Sequence, residues 1–362
     1  MLEAIQMPPT PPPSDRVCPQ CWTPAGPDGR CALHGLAGVM DRQGEVFARR
    51  FVAERLIGVG SFQATVWQAR DLQTDEEVAL KVSPALNLAT VERTIHGTHV
   101  SLRLDHRNIA RVIEFGETDD GTFYCAMERL HGRTLHQLLQ RRPFSTVDSL
   151  RLAERLLSAL ELVHAAGIVH RDLKPGNVFI ATTSPGEWRP VLLDFGIAVD
   201  VSRGASPPTD RIVGTPEYMA PEQILGQPVD ARADIYGFGV LLFRTMTGEL
   251  PFPADNRHDI YRAHLHSPPP RLSDVVGDEL PFSLEIAVAR CLAKSPDDRW
   301  QSAAELRAAL DRVQTDRADG RANPTTQRLV FPERLAATRT VRRIRPLPPR
   351  HLAPTMPQRP QR

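Results

Sequence analysis

The eight residues His170-Arg171-Asp172-Leu173-Lys174-Pro175-Gly176-Asn177 constrain this chain more than any other stretch. They follow Ser149–Ala165, where Leu150, Ala153, Leu157, Leu160 and Val163 recur at helical spacing. Gly167 stands where the residue beyond a helix end often turns left-handed. They precede Val178-Phe179-Ile180, which reads as a short strand. An acid, a lysine and an amide are thus gathered on one loop between a helix and a strand.

The lysine itself is informative. Of 44 basic residues in the 362, only Lys81, Lys174 and Lys294 are lysines. A GC-rich genome accounts for the arginine excess, and against it a lysine marks a place for a compact ammonium rather than a planar guanidinium. Lys81 ends Val78-Ala79-Leu80-Lys81 on the predicted strand Glu77–Val82, pointing either to solvent or into a cleft. Ile57-Gly58-Val59-Gly60-Ser61-Phe62 lies between two further predicted strands, Phe51–Ile57 and Thr65–Arg70. Paired glycines let a backbone approach a phosphate closely, although the same string also suits a plain hairpin. Ala233–Thr247 is a second predicted helix, apolar nearly all round at Gly237–Phe243 and therefore buried.

Two more strings complete the set. Leu192-Leu193-Asp194-Phe195-Gly196 and Gly214-Thr215-Pro216-Glu217-Tyr218-Met219-Ala220-Pro221-Glu222 follow the loop in order. Together these segments resemble the catalytic loop, the metal-binding segment and the substrate platform of protein kinases. The resemblance covers about 51–313 and is closest to bacterial Ser/Thr kinases of eukaryotic type. It implies an α+β, two-lobed fold with a small β-rich N-lobe and a larger helical C-lobe. It also implies transfer of the γ-phosphate of ATP, with Mg²⁺, to hydroxyls of protein substrates. The 22 residues from Asp172 to Asp194 are slightly many, and the surplus fits a hairpin near Ser184-Pro185-Gly186.

The resemblance assigns roles. Asp172 accepts or orients the substrate proton, and Lys174 reaches the transferred phosphate. Asn177 and Asp194 offer hard oxygens to Mg²⁺. Ile57, Gly58 and Gly60 belong to the phosphate loop, and Lys81 contacts the α- and β-phosphates. Val66 and Ala79 line the adenine pocket, Met127 is its gatekeeper, Glu128 and Leu130 belong to the hinge, and Phe179 is the floor. Glu222 is expected to pair with Arg299, Asp234 to brace the catalytic loop, and Thr215 to contact Asp172 and Lys174. His170 is expected to pack rather than act as a base. Arg171 is placed to hold a phosphate on the activation loop, with Thr209 the first candidate phosphosite and Ser202 and Ser206 behind it.

Two departures keep a second reading open, a scaffold that binds nucleotide or partners without catalysis. Gln63 replaces the third glycine of the phosphate loop. Gly97 stands nine residues before His106, where the family carries the glutamate that pairs with the strand lysine. Lys81 is therefore expected to be unpaired or held by Glu92. A small-molecule kinase is disfavoured by the Gly214–Glu222 platform.

Outside 51–313, residues 1–16 read as a proline-rich disordered leader, 17–35 as a zinc knuckle and 36–50 as a linker. Cys18, Cys21, Cys31 and His34 have the spacing of a Zn²⁺ site with three thiolates and one imidazole; free thiols are the alternative. Cys125 and Cys291 read as plain buried residues. Residues 314–362 hold eleven arginines against Asp316, Asp319 and Glu333, a net charge of +8, and read as disordered. Such a tail docks an acidic partner, nucleic acid or anionic lipid, or is only a solvated terminus. No apolar run of about 18 residues and no signal-peptide pattern is visible. Together with the five cysteines read as thiols or ligands, this points to the cytoplasm. A homodimer is a possible vehicle for autophosphorylation.

Overall fold

A computed structural model describes residues 16–20, 25–26, 28–34, 36–59, 64–83, 98–184, 186–195, 198–201, 214–276 and 280–318. Gly60, Gln63, Glu92, Gly97, Cys21, Ser202, Ser206, Thr209, the leader and the tail beyond 318 lie outside these residues.

The chain begins with β1 (Arg16–Val17) paired to β2 (Val39–Met40). Then β3 (Val46–Phe47), β4 (Phe51–Val59), β5 (Thr65–Asp71), β6 (Glu77–Ser83), β7 (Val112–Glu117) and β8 (Phe123–Glu128) form an antiparallel sheet in the order β3-β4-β5-β6-β8-β7. Alternation is clearest in β5, whose pattern buries Thr65, Trp67, Ala69 and Asp71 and leaves Val66, Gln68 and Arg70 on the other face. Phe47, Phe51, Trp67, Leu80 and Ala126 build the small-lobe core.

The segment 36–50 corrects the expected linker. Phe47 is fully buried in that core, and β3 pairs with β4 at Phe47↔Phe51. Two-residue strands carry too little periodicity to be read from sequence. An ion-pair cluster fastens this edge. Arg50 donates to both oxygens of Asp71, at 2.8 and 2.6 Å, and to Glu114 at 2.7 Å, while the Tyr124 hydroxyl donates to Glu114 at 3.0 Å.

After β8 come β9 (Gly132–Thr134), the short helix Leu135–Leu139 and the long helix α1 (Thr146–Ala165). Ser145 caps α1 by accepting from the Asp148 amide, and Gly167 beyond its end has φ 72°. Next follow β10 (Ile168–Val169), β11 (Val178–Ser184), β12 (Glu187–Leu192) and β13 (Val199–Asp200). The β11–β12 hairpin turns at Gly186, φ 79°, and pairs with β9 as well. Trp188 seats the hairpin on α1, with Phe144 edge-on at 6.0 Å and Arg151 over its ring at 4.9 Å.

The larger lobe is completed by α2 (Ala231–Thr247), α3 (Arg257–His266), α4 (Phe282–Cys291) and α5 (Ala303–Ala318). Helix α2 buries residues on every side and ends at Gly248, φ 81°. The last helix runs to 318, past the expected boundary at 313. No helix among the described residues is long and apolar enough to cross a membrane.

Arg299 is fully buried, and its donors are satisfied throughout. They reach Glu222 at 2.7 and 2.8 Å, and the carbonyls of Ala293, Lys294 and Arg232 at 2.9, 3.0 and 2.9 Å. Removing one partner strands the other charge without water. Glu222→Gln is therefore expected to cost about 3–5 kcal/mol in chemical denaturation. Arg70→Ala, which breaks a solvent-screened pair with Glu54, should shift the denaturation midpoint far less.

A second expectation concerns acid. The Arg50 hydrogen bonds hold Asp71 down at about 2, against an ordinary 3.8. A depressed carboxylate stabilises the folded state above its unfolded value and loses that contribution as pH falls toward the folded one. Denaturation midpoints measured from pH 4 to pH 2 should fall less steeply in Arg50→Met than in the wild type.

Candidate active site

The 170–177 loop leaves β10 and is fixed before any catalytic side chain is considered. Asp234 of α2 is 1% exposed. Its Oδ2 accepts from the backbone N–H of His170 at 2.8 Å, and its Oδ1 from that of Arg171 at 2.8 Å. His164 Nε2, next to the last residue of α1, lies 2.9 Å from Oδ2 and donates to that carboxylate. Burial pushes the Asp234 carboxyl up, but His164 and the backbone donors more than reverse this and leave it lowered. The grip holds Arg171 at φ 66°, a left-handed conformation costly for a residue with a Cβ. His170 is fully buried, its ring 4.9 Å from that of Phe195, in keeping with a packing residue.

The side chain of Asp172 is held from several directions. Oδ1 accepts from the Thr215 hydroxyl at 2.7 Å and the Thr215 N–H at 3.2 Å. Oδ2 accepts from the Asn177 amide at 3.0 Å and lies 2.6 Å from Lys174 Nζ. Lys174 also donates to Thr215 Oγ1 at 2.7 Å. Asn177 Nδ2 bonds the Asp172 carbonyl as well, at 2.9 Å, so its amide oxygen is the end left to face a ligand.

Between the sheet and this loop lies a cleft of about 540 Å³. Ile57, Gly58, Val66, Ala79, Met127, Leu130 and Phe179 line it with apolar surface. Lys81, Lys174, Asn177 and Asp194 line the same space with charge and amide. An apolar slot with a few convergent polar groups is the ordinary form of a small-molecule site. Glu128 also lines it, yet its carboxylate is committed elsewhere, accepting from the Arg111 N–H at 3.0 Å and pairing with Arg189 at 3.2 Å. Its backbone N–H is committed as well, donating to the Arg111 carbonyl at 2.9 Å.

Lys81 corrects the expected lack of a partner. Its Nζ sits 2.7 Å from Asp194 Oδ2, so the strand lysine is paired with the loop acid, while Glu92 lies outside the described residues. Pairing across the lobes is a tertiary fact that spacing along the chain does not carry. Burial alone would lower the ammonium's pKa, but Asp194 outweighs it and the net direction is upward. Asp194 itself is left-handed at φ 55°, a second strained backbone position at the cleft. The Asp194 carboxylate and Asn177 amide oxygen are hard donors, and this donor set fits Mg²⁺. Cys125 also lines the cleft, and burial pushes its thiol up to about 11.

Other expected partners are close together. Glu222 and Arg299 form the buried pair described above. Cys18, Cys31 and His34 converge, with His34 Nδ1 3.7 Å from the Cys18 sulfur and 3.6 Å from that of Cys31. Both sulfurs are buried. Sequence reasoning passed over His164, whose place at the end of an apolar helix gave no sign that it supports the loop.

The sequence matches the family described as "Protein kinase domain" over residues 51–309. Relatives include the serine/threonine-protein kinase pkn3 of Myxococcus xanthus, 37% identical over 76% of this chain and 52% of its own length. The probable serine/threonine-protein kinase PknB of Corynebacterium glutamicum is 34% identical over 83% of this chain and 48% of its own. PksC of Streptomyces coelicolor is 37% identical over 80% and 51%. The chain thus spans about half the length of these relatives. With the family matched across both lobes and the cleft between them, the chain belongs to the protein kinases.

Proposed function

We propose that this chain is a Ser/Thr protein kinase that uses ATP and Mg²⁺ and acts on protein hydroxyls. The observation that carries the reading is the Asp172 carboxylate, oriented by Asn177, Thr215 and Lys174 beside a cleft holding Lys81 and Asp194. Phosphoryl transfer asks a protein mainly to position groups and neutralise charge. In this reading Asp172 orients the acceptor hydroxyl and takes its proton as the oxygen bonds to the γ-phosphorus and the bridging P–O bond to ADP breaks. Lys174 offsets charge on the phosphoryl oxygens. The adenine lies between Val66, Ala79, Met127 and Phe179, bonded to the Glu128–Leu130 backbone, with Ile57, Gly58 and Gly60 over the phosphates. Asn177 and Asp194 hold Mg²⁺, which neutralises phosphate charge when bound. For Asp194 to do so, it must share or release its contact with Lys81, and Lys81 then turns to the phosphates.

Regulation belongs to the same proposal. Thr209 is the autophosphorylation site, transferred between two copies of the chain, and Arg171 receives the phosphate. Phosphopeptide mass spectrometry of active protein that finds Thr209 unmodified rejects this step. The protein acts in the cytoplasm, and its arginine-rich tail docks an acidic partner.

The knuckle holds Zn²⁺ through Cys18, Cys31 and His34, with Cys21 as fourth ligand. Support comes from the spacing, since a tetrahedral ion with bonds of ~2.3 Å to sulfur and ~2.0 Å to nitrogen separates those atoms by ~3.5 Å. The observed separations are 3.6 and 3.7 Å.

Two measurements test these readings. Incubation with labelled ATP and Mg²⁺ should show transfer by the wild type and a drop of at least about 10²-fold in Asp172→Asn, the range of a lost general base. Equal labelling of both would favour a nucleotide-binding scaffold. Elemental mass spectrometry of the full chain should find one zinc per molecule, lost in Cys31→Ser. Absence of zinc from the wild type rejects the knuckle site.

A further inference from the structure

The three lysines differ in what surrounds their ammonium groups. Lys81 lies 2.7 Å from Asp194 Oδ2. Lys174 lies 2.6 Å from Asp172 Oδ2 and donates to Thr215 at 2.7 Å. Each of these two has a carboxylate to hold its proton. Lys294 stands just after α4, in the segment that leads to the buried Arg299. Among the described residues no carboxylate pairs with it.

Its place is an aromatic nest. The ammonium stands 4.0 Å from the Phe252 ring and 5.9 Å from that of Tyr236. It donates to the Ala263 carbonyl of α3 at 3.4 Å, but that carbonyl already accepts the Ser267 N–H at 2.9 Å. The Arg299 guanidinium stands 4.9 Å from the same Tyr236 ring, so two cations share one aromatic side chain. The nearby acids are committed elsewhere. Glu222 meets Arg299 at 2.7 and 2.8 Å, and Asp297 pairs with Arg232 at 2.7 Å. His264 packs on the same two rings, at 5.6 and 5.0 Å, and brings no negative charge. Ring faces favour an ammonium, but lost water and a neighbouring guanidinium disfavour it more. Burial, and then the Arg299 charge, bring Lys294 down to about 7 from an ordinary 10.5.

A lysine desolvated in an apolar place beside another cation is the kind that acts as a nucleophile near neutral pH. Lys294 keeps part of its surface exposed, which admits a small electrophile. We propose that Lys294 is a modification site, the side-chain amine of this chain that small acyl phosphates acylate first. The unprotonated nitrogen attacks the acyl carbon and the C–N bond forms. The C–O bond to phosphate breaks, inorganic phosphate leaves with the bonding pair, and the nitrogen's proton passes to solvent. The product is a neutral amide in the nest beside Arg299. Lys294 does not line the cleft, so the site stands independently of the phosphotransfer reading.

The test uses the folded full chain and acetyl phosphate, with acetylation followed at each lysine by quantitative peptide mass spectrometry across neutral and alkaline pH. At neutral pH Lys294 should be acetylated at least about tenfold faster than Lys81 or Lys174, because more of its amine is unprotonated. Its rate should climb through neutrality and flatten above about pH 8. The rate at Lys81, whose proton Asp194 holds, should go on climbing beyond that point. In the urea-unfolded chain the three lysines should react alike, since the preference belongs to the fold. Lys294→Arg should remove the dominant label and leave those at Lys81 and Lys174. Equal rates at the three lysines of the folded chain, or a Lys294 rate that climbs in parallel with that of Lys81, overturns the inference and leaves the kinase reading standing. A preference for Lys294 that survives unfolding overturns it as well.

Discussion

The buried carboxylate of Asp234 is the interaction on which the 170–177 loop and the segment packed against it depend. A charge taken out of water is costly unless its lone pairs are met, and here two backbone N–H groups and His164 meet them. The benefit runs outward. His170 and Arg171 are fixed, Arg171 tolerates a left-handed backbone, and Asp172 leaves the loop in one direction. Thr215 can then reach Asp172, so the platform inherits its position from the same carboxylate. Nothing in this sequence of supports needs a ligand, which makes the C-lobe half of the site preorganised in the sense that favours electrostatic catalysis.

The other half is built differently. The small lobe is an antiparallel sheet over a compact core, fastened at one edge by Arg50, Asp71, Glu114 and Tyr124. It contributes Lys81 and the apolar roof of the cleft. The contact between Lys81 and Asp194 joins sheet to loop, with both side chains partly open to the cleft. An ion pair in such a place is screened by solvent and can exchange partners at modest cost.

Much of this was legible in the chain. The strands at Phe51, Thr65 and Glu77 and the helices at Ser149 and Ala233 lie within three residues of their observed starts, because their apolar periods are long enough to read. The motif strings could be read because their residue types are tied to one chemistry. What was missed was either short or remote. Val46 and Phe47 form a strand too brief for a period, though Phe47 is central to the small-lobe core. Trp188 gives the extra hairpin its seat, but a lone aromatic does not announce its neighbours. The Lys81 partner, the support from His164 and the contact of Tyr236 with His264 all join residues far apart in sequence, where only the fold supplies the proximity.

The scarcity of lysine acquires a practical meaning once the three are placed. Lys81 faces the cleft, Lys174 the Asp172 loop, and Lys294 the aromatic nest beside α3. Each is only partly exposed, and each is engaged by a neighbour. The remaining basic residues are arginines, whose guanidinium groups amine-directed reagents leave alone. Side-chain amine chemistry applied to the folded molecule therefore falls on these three places alone, so that a covalent label becomes a spatial map of the cleft, the 170–177 loop and the aromatic nest beside α3.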